Sequence, residues 1–249
     1  MSAPAVIYRY QAPKKRNVEN VERSLLWLSH PSKFNDPFDC AGAMFHNRPD
    51  DVKADCFYDA LLNFDFDQTM EFAQDFVEEE GATSNSAALS SSDIYFRRQL
   101  SGAEGVTCFS ELPKNLLMWS HYADSHKGFC LEYSTEYSPF RQLLCQVSYE
   151  IKMPTVAPSV REFGDLFELK KFLLIKAREW RYEKEWRIAS SLSNAPLDYP
   201  PEALKRILIG AKATTRTVNA LRRSVEGRPV SIVRLKLSDN RFRLEESPD

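Results

Sequence analysis

The stretch GVTCFSELPKNLLMWSHYADSHKGFCLEY, residues 105–133, decides the fold class because it sets a strand, a helix and a second strand end to end. Gly105 to Ser110 is a short, mostly apolar run bounded by turn residues, the signature of a strand. Pro113 suits the opening of a helix, which the spacing carries to about Ala123. Asp124 to Gly128 is a turn, and Gly128 to Tyr133 is a further buried strand. Upstream, Ala5 to Tyr10 reads as a strand closed by Pro13. Asn17 is placed to cap a helix through Ser24, and Leu25 to Ser29 reads as another strand. Downstream the pattern predicts strands over Leu144 to Tyr149, Glu185 to Ala189, Ile207 to Gly210 and Val230 to Leu237. It predicts helices over 165–178, with Leu166, Leu169, Phe172 and Leu173 on one side, and over 214–226. Strands scattered among helices without regular βα alternation predict an α+β domain, a mixed central sheet flanked by helices.

At 249 residues the chain can bury one large core, or at most two small ones, and is read as a single domain over 1–249. Eight glycines against sixteen Phe, ten Tyr and four Trp argue for an aromatic-rich core or site rather than a glycine-loop nucleotide fold. Residues 46–104 hold four Lys/Arg against thirteen Asp/Glu and read as an acidic helical insertion. That insertion has a helix over 49–80, a Ser-rich loop over 81–92 and a short helix from Ile94 to Leu100. Residues 161–243 hold nineteen Lys/Arg against ten Asp/Glu. Either these are two ordinary solvated surfaces, or the basic part meets an anionic partner such as nucleic acid that the acidic part steers, blocks or mimics.

No apolar run is long enough for a signal peptide or a membrane span. Five cysteines, an odd number without a CxxC pair, predict thiols rather than disulfides or zinc, and a cytoplasmic protein. Walker A, GxGxxG, GxSxG, HExxH and zinc-deaminase patterns are all lacking, so the commonest hydrolase and dehydrogenase readings have no footing.

Three segments concentrate polar and aromatic residues. In SKFNDPFDC the turn around Asn35 and Asp36 is flanked by Phe34 and Phe38. Its side chains either bond nearby amides or present Asn35, Asp36 or the neighbouring Ser29 to a ligand. In NLLMWSHYADSHKGF, His121 and Tyr122 begin from a partly apolar helix face. The five-residue step from His121 to His126 is not the spacing of a helical zinc pair, so no metal is expected. In WRYEKEWRI, Glu183 and Glu185 lie two apart and would share a face on an extended chain. They serve either as a carboxylate pair that stabilises a cation, or as partners of arginines on a solvated edge.

Taken together, YRY, LSHPSKFNDPFD, CFSE…LMWSHYADSHKGF and WRYEKEWRI resemble a bacterial family described only as a domain of unknown function, over roughly residues 8–188. A looser resemblance is to the ADP-ribosyltransferase fold, whose early strand–helix–strand unit looks like Tyr8–Tyr10, residues 17–24 and Leu25–Ser29. Its late Glu-x-Glu looks like Glu183-Lys184-Glu185. That resemblance implies Glu185 as the catalytic acid with Glu183 in support, and NAD as substrate. It also implies a binding set of Tyr8, Arg9, Tyr10, Ser29, Asn35, Asp36, Ser110, Trp119, His121 and Tyr122. Nucleic acid or protein would be the acceptor, in a toxin or phage-defence role with a neutralising protein partner. Two rivals remain: a catalytically silent nucleic-acid-binding module, and a hydrolase of a glycosidic or nucleotide bond.

Overall fold

The computed structural model describes residues 3–36, 38–40, 105–152, 173–190 and 192–247, and an eight-stranded sheet organises them. Its spatial order is β12 (Leu244–Glu246), β11 (Ser231–Leu237), β10 (Leu204–Ile209), β4 (Phe129–Ser134), β1 (Val6–Gln11), β3 (Gly105–Ser110), β8 (Glu185–Ser190) and β5 (Leu144–Gln146). β10 and β11 are parallel and the other neighbours antiparallel, so the sheet is mixed and the class is α+β. Two small ribbons accompany it: β2 (Leu25–Leu28) with β9 (Ala195–Asp198), and β6 (Ser148–Glu150) with β7 (Ile175–Ala177). Among the described residues the helices are α1 (Lys15–Glu22), α2 (Leu116–Tyr122), α3 (Phe140–Leu143) and α4 (Thr215–Ser224).

Strand alternation divides the core between the two faces of the sheet. Ile7, Phe129, Leu131, Ile188 and Ile207 point to one face, where Val21 of α1 and Leu221 of α4 join them. Tyr10, Cys130 and Leu208 point to the other, against Met118 and Trp119 of α2. Trp119 is wholly buried, edge-on to Tyr10 at 5.4 Å, and its indole N–H donates to the Pro113 carbonyl at 2.9 Å. Burying a ring of this size contributes about 2–3 kcal/mol, and the indole bond removes the penalty on its polar edge.

Several boundaries differ from the sequence pattern, each for a local reason. α1 begins after Lys14, and Asn17 lies inside it with its amide donating to the Ala12 carbonyl at 2.9 Å. α2 begins after Asn115 rather than at Pro113, because the Asn115 side chain accepts from the amides of Leu117 and Met118 at 2.9 and 3.2 Å. The expected strand over 144–149 breaks at Val147, whose N–H donates to Glu185, whereas the next N–H donates to Leu174. The chain therefore leaves the main sheet there and begins the β6–β7 ribbon. The amphipathic helix expected over 165–178 does not extend through its described part: Leu173 is in a buried turn and Ile175–Ala177 is β7. Its remainder, and the acidic insertion of 46–104, lie outside the described residues. β9, β12 and α3 carry no clear pattern, and Pro196 within β9 is tolerated because that strand has a single partner.

One interruption of the sheet matters for function. β1 meets β3 at a single pair, Tyr8 opposite Ser110, while the far end of β3 is bridged by Ser29 to Val106 after β2. Between those two attachments the strands part and a cleft opens.

Candidate functional site

The cleft has a volume of about 580 Å³ and is lined from both strand edges, by the loop after β2 and by α2. Its deep end is a buried charge network. Lys176 Nζ lies 2.6 Å from Glu183 Oε2, 2.9 Å from Glu185 Oε2 and 3.5 Å from Asp39 Oδ2. Arg187, with no exposed surface, donates from Nε to Glu185 Oε1 at 2.7 Å and from Nη2 to Asp39 Oδ2 at 2.9 Å. Its Nη1 also reaches the Leu173 carbonyl at 2.7 Å and the Cys40 sulfur at 3.1 Å.

Local backbone geometry brings the two glutamates together. Glu183 ends the tight turn Arg178–Glu183, and Glu185 opens β8. Lys184 between them is left-handed, with φ 43°, so the carboxylates do not share the face of one extended strand as the spacing suggested. They converge instead because the chain reverses its hand at Lys184, a conformation that costs a non-glycine residue roughly 1–2 kcal/mol. Three side chains hold this geometry. Ser110 donates to the Glu183 carbonyl at 2.5 Å, the Glu185 amide donates to the Tyr149 hydroxyl at 2.7 Å, and Asn115 donates to the Tyr182 carbonyl at 3.1 Å.

The two acids differ electrostatically. Burial alone would raise the Glu185 carboxyl, but Arg187 and Lys176 bring it down to about 2. Burial pushes the Glu183 carboxyl up from its ordinary value, against the pull of Lys176 and the Tyr122 hydroxyl, which donates to Oε1 at 2.8 Å. The reason is visible in the partners: Glu185 has a cation on each oxygen, whereas Glu183 shares one lysine with two other carboxylates. Lys176 itself is held firmly as the ammonium: burial opposes its charge, and Glu185 and Glu183 outweigh that penalty. The Cys40 and Cys108 thiols beside Arg187 are pushed up by burial, which makes them inert.

Cations line the cleft as well: Arg9, Lys14 and Lys33 are among its lining residues, and among the described residues none of the three pairs with a carboxylate. Arg9 donates to the Trp27 carbonyl at 3.1 Å, and burial without a counter-charge pushes its pKa down. Among the described residues Lys33 reaches the neutral side chain of Asn194, at 2.7 Å.

Of the residues singled out from sequence, the cleft brings together Tyr8, Arg9 and Tyr10 of β1 with Ser29, Asn35 and Ser110. His121, Tyr122, Glu183 and Glu185 line it as well. Tyr8 is pushed up to about 12 by burial and by Glu132, and Tyr10 donates its hydroxyl to the Leu112 carbonyl. Two expected residues stand elsewhere. Trp119 is core, for the packing reasons given above, and Asp36 accepts the Phe38 amide at 2.9 Å in a local turn. Asp39, Tyr149, Lys176 and Arg187 were not anticipated. The signal for Arg187 was available: Trp186 and Ile188 face the core, so Glu185 and Arg187 must share the opposite face. The described cysteines Cys40, Cys108, Cys130 and Cys145 are thiols, and Cys56 lies outside the described residues. Among the described residues no helix is long and apolar enough to cross a membrane.

A family described as "Protein of unknown function (DUF2971)" matches residues 118–188. The family resemblance therefore holds from α2 through β8, a stretch that includes His121, Tyr122, Lys176, Glu183, Glu185 and Arg187. The YRY and FNDPFD signatures lie outside it. No curated protein and no solved structure matches the chain.

Proposed function

We propose that the cleft binds NAD and transfers its ADP-ribosyl unit to an acceptor. The observation that carries this reading is the charge of the cleft lining. Arg9, Lys14 and Lys33, which pair with no carboxylate among the described residues, line the same cleft as Glu183 and Glu185, both fixed on Lys176. A ligand that joins a diphosphate to a cationic ring complements that lining. The volume of about 580 Å³ falls in the range of small-ligand sites. The likeness of Glu183-Lys184-Glu185 to the Glu-x-Glu of ADP-ribosyltransferases supports the same assignment, since Glu185 opens a late strand.

The chemistry follows from the difference between the two acids. When the bond between ribose C1′ and the nicotinamide nitrogen breaks, the electron pair leaves with nicotinamide and positive charge develops on the sugar. Among the described residues Asp39, Glu183 and Glu185 face Lys176 and Arg187, so that network, fully ionised, is net negative by one charge and stabilises that cation. Glu185, ionised far below neutral pH and clamped on both oxygens, needs no reorganisation as the charge forms. Glu183, raised by burial, is the better base. It takes the proton from the acceptor hydroxyl or amine as that group bonds to C1′.

A second reading has one observation in its favour. Both Glu185 oxygens are already engaged, which suits a nucleic-acid-binding module whose glutamates only pair with cations. Incubating the pure protein with NAD labelled in its adenylate half, and following nicotinamide release and label transfer, separates the readings. Release with transfer supports the proposal, and release into water alone indicates a hydrolase. Absence of both NAD binding and release favours the binding module.

A further inference from the structure

Resting on the transfer reading, we propose that the turn Arg178–Glu183, with His121, docks single-stranded nucleic acid and presents it to Glu183 as the acceptor. Trp180, Tyr182 and His121 form a run of rings beside the cleft. The His121 and Trp180 centroids are 6.3 Å apart and those of Trp180 and Tyr182 6.0 Å apart. Trp180 lies over the Lys176 ammonium at 4.9 Å, so it caps the buried network while remaining half-buried itself. His121 is exposed and also lines the cleft, which makes the ring run continuous with the site. Rings presented in series at a site mouth offer faces on which unpaired bases stack, whatever their identity.

The charge on the same turn selects the partner. Arg178 and Arg181 are exposed, and neither carries an ion pair among the described residues. Lys184 follows, 56% exposed, with its ammonium 3.9 Å from Glu111 Oε2. Against these, Glu179 is the exposed acid of the turn. Cations alternating with rings match a phosphate–base repeat, in which stacking accepts the base and the guanidinium groups accept the backbone. A duplex, with its bases already stacked on one another, offers nothing for Trp180 to hold. Glu183 closes the turn with its carboxylate on Tyr122, so a base held on Trp180 brings its own amine or its ribose hydroxyl to the proton acceptor.

The test is binding of short labelled single-stranded RNA, single-stranded DNA and duplex by fluorescence anisotropy, without NAD, at several salt concentrations. The wild-type protein is expected to bind single strands of one or both sugars and to discriminate against duplex. Trp180→Leu, which keeps an apolar cover on Lys176, should weaken binding about tenfold. Arg178→Gln with Arg181→Gln should lower the slope of log affinity on log salt by about 1.4. Thermal melting accompanies both variants, and the exposed arginine pair carries the test if Trp180→Leu melts early. Equal affinity for duplex, single-strand binding unchanged in the folded variants, or preference for an acidic polypeptide over oligonucleotide overturns the proposal. Nicotinamide release by the wild-type protein tests the underlying transfer reading separately, since it needs no oligonucleotide.

Discussion

Lys176 Nζ lies 2.6 Å from Glu183 Oε2, with both side chains almost fully buried. The same ammonium is 2.9 Å from Glu185, so one lysine favours the charged form of two neighbouring buried carboxylates, with Arg187 assisting at Glu185. β7, an otherwise minor strand, is what delivers that lysine, through its parallel pairing with β6.

Lys176→Met keeps the length of the side chain and removes the charge, leaving buried carboxylates facing one another. The expected loss is about 3–5 kcal/mol of stability in urea unfolding at neutral pH. The loss should shrink on acidification, because without the ammonium the folded state favours protonated acids. A variant as stable as wild type at pH 8 would show that the network is open to water.

Acid should weaken the wild-type fold in a defined window. The folded Glu185 carboxyl, at about 2, is below its ordinary value of 4.5. Its contribution is therefore complete above about 4.5 and is lost as the pH falls towards 2, on the order of 3 kcal/mol in all. Glu183, raised by burial, acts in the opposite sense, its contribution fading as the pH rises through its folded value. Unfolding followed from pH 6 to pH 2 should give a steeper decline for wild type than for Glu185→Gln. Parallel curves would remove Glu185 from the account of acid sensitivity.

Arg187→Lys preserves the charge but cannot reproduce a guanidinium fork that reaches Glu185, Asp39 and the Leu173 carbonyl at once. A cost of about 2–3 kcal/mol is expected from the lost charge-assisted bonds. The exposed Arg243→Lys, whose pair with Glu245 is solvent-screened, should change stability by less than about 0.5 kcal/mol. Chemical denaturation of the two variants side by side checks the contrast.

Asn115→Ala should cost about 1–2 kcal/mol by uncapping α2. It also frees the Tyr182 carbonyl, so it should loosen the turn that carries Glu183. Asn115→Asp retains the acceptor and loses the donor. Recovery of the melting temperature in the aspartate variant, without recovery of amide protection around Tyr182, would separate the two roles.

The strands and helices that pack on the sheet were legible because each has an apolar face with a clear period: Ile7, Phe129 and Ile188 in strands, Val218 and Leu221 in a helix. β7 was not legible, because Ile175-Lys176-Ala177 follows a run of residues with helical spacing and gains its strand geometry only from pairing with β6. The glutamates stood out through their aromatic neighbours. Lys176 and Asp39 did not, since their meaning comes from contacts spanning 137 and 148 positions of chain, Asp39 with Lys176 and Asp39 with Arg187. Trp119 misled for a related reason: an aromatic in a polar segment looks like a binding ring until Tyr10 and Pro113 are seen to enclose it.

The most direct test of the central claim is nicotinamide release from NAD by Glu185→Gln against wild type, assayed below the melting temperature of both. Glutamine keeps the shape of Glu185 and one of its two acceptors, and deletes the charge that faces the developing ribosyl cation. The account predicts that release falls by about 10²–10³ while NAD binding is retained. Release by folded Glu185→Gln at the wild-type rate would contradict it.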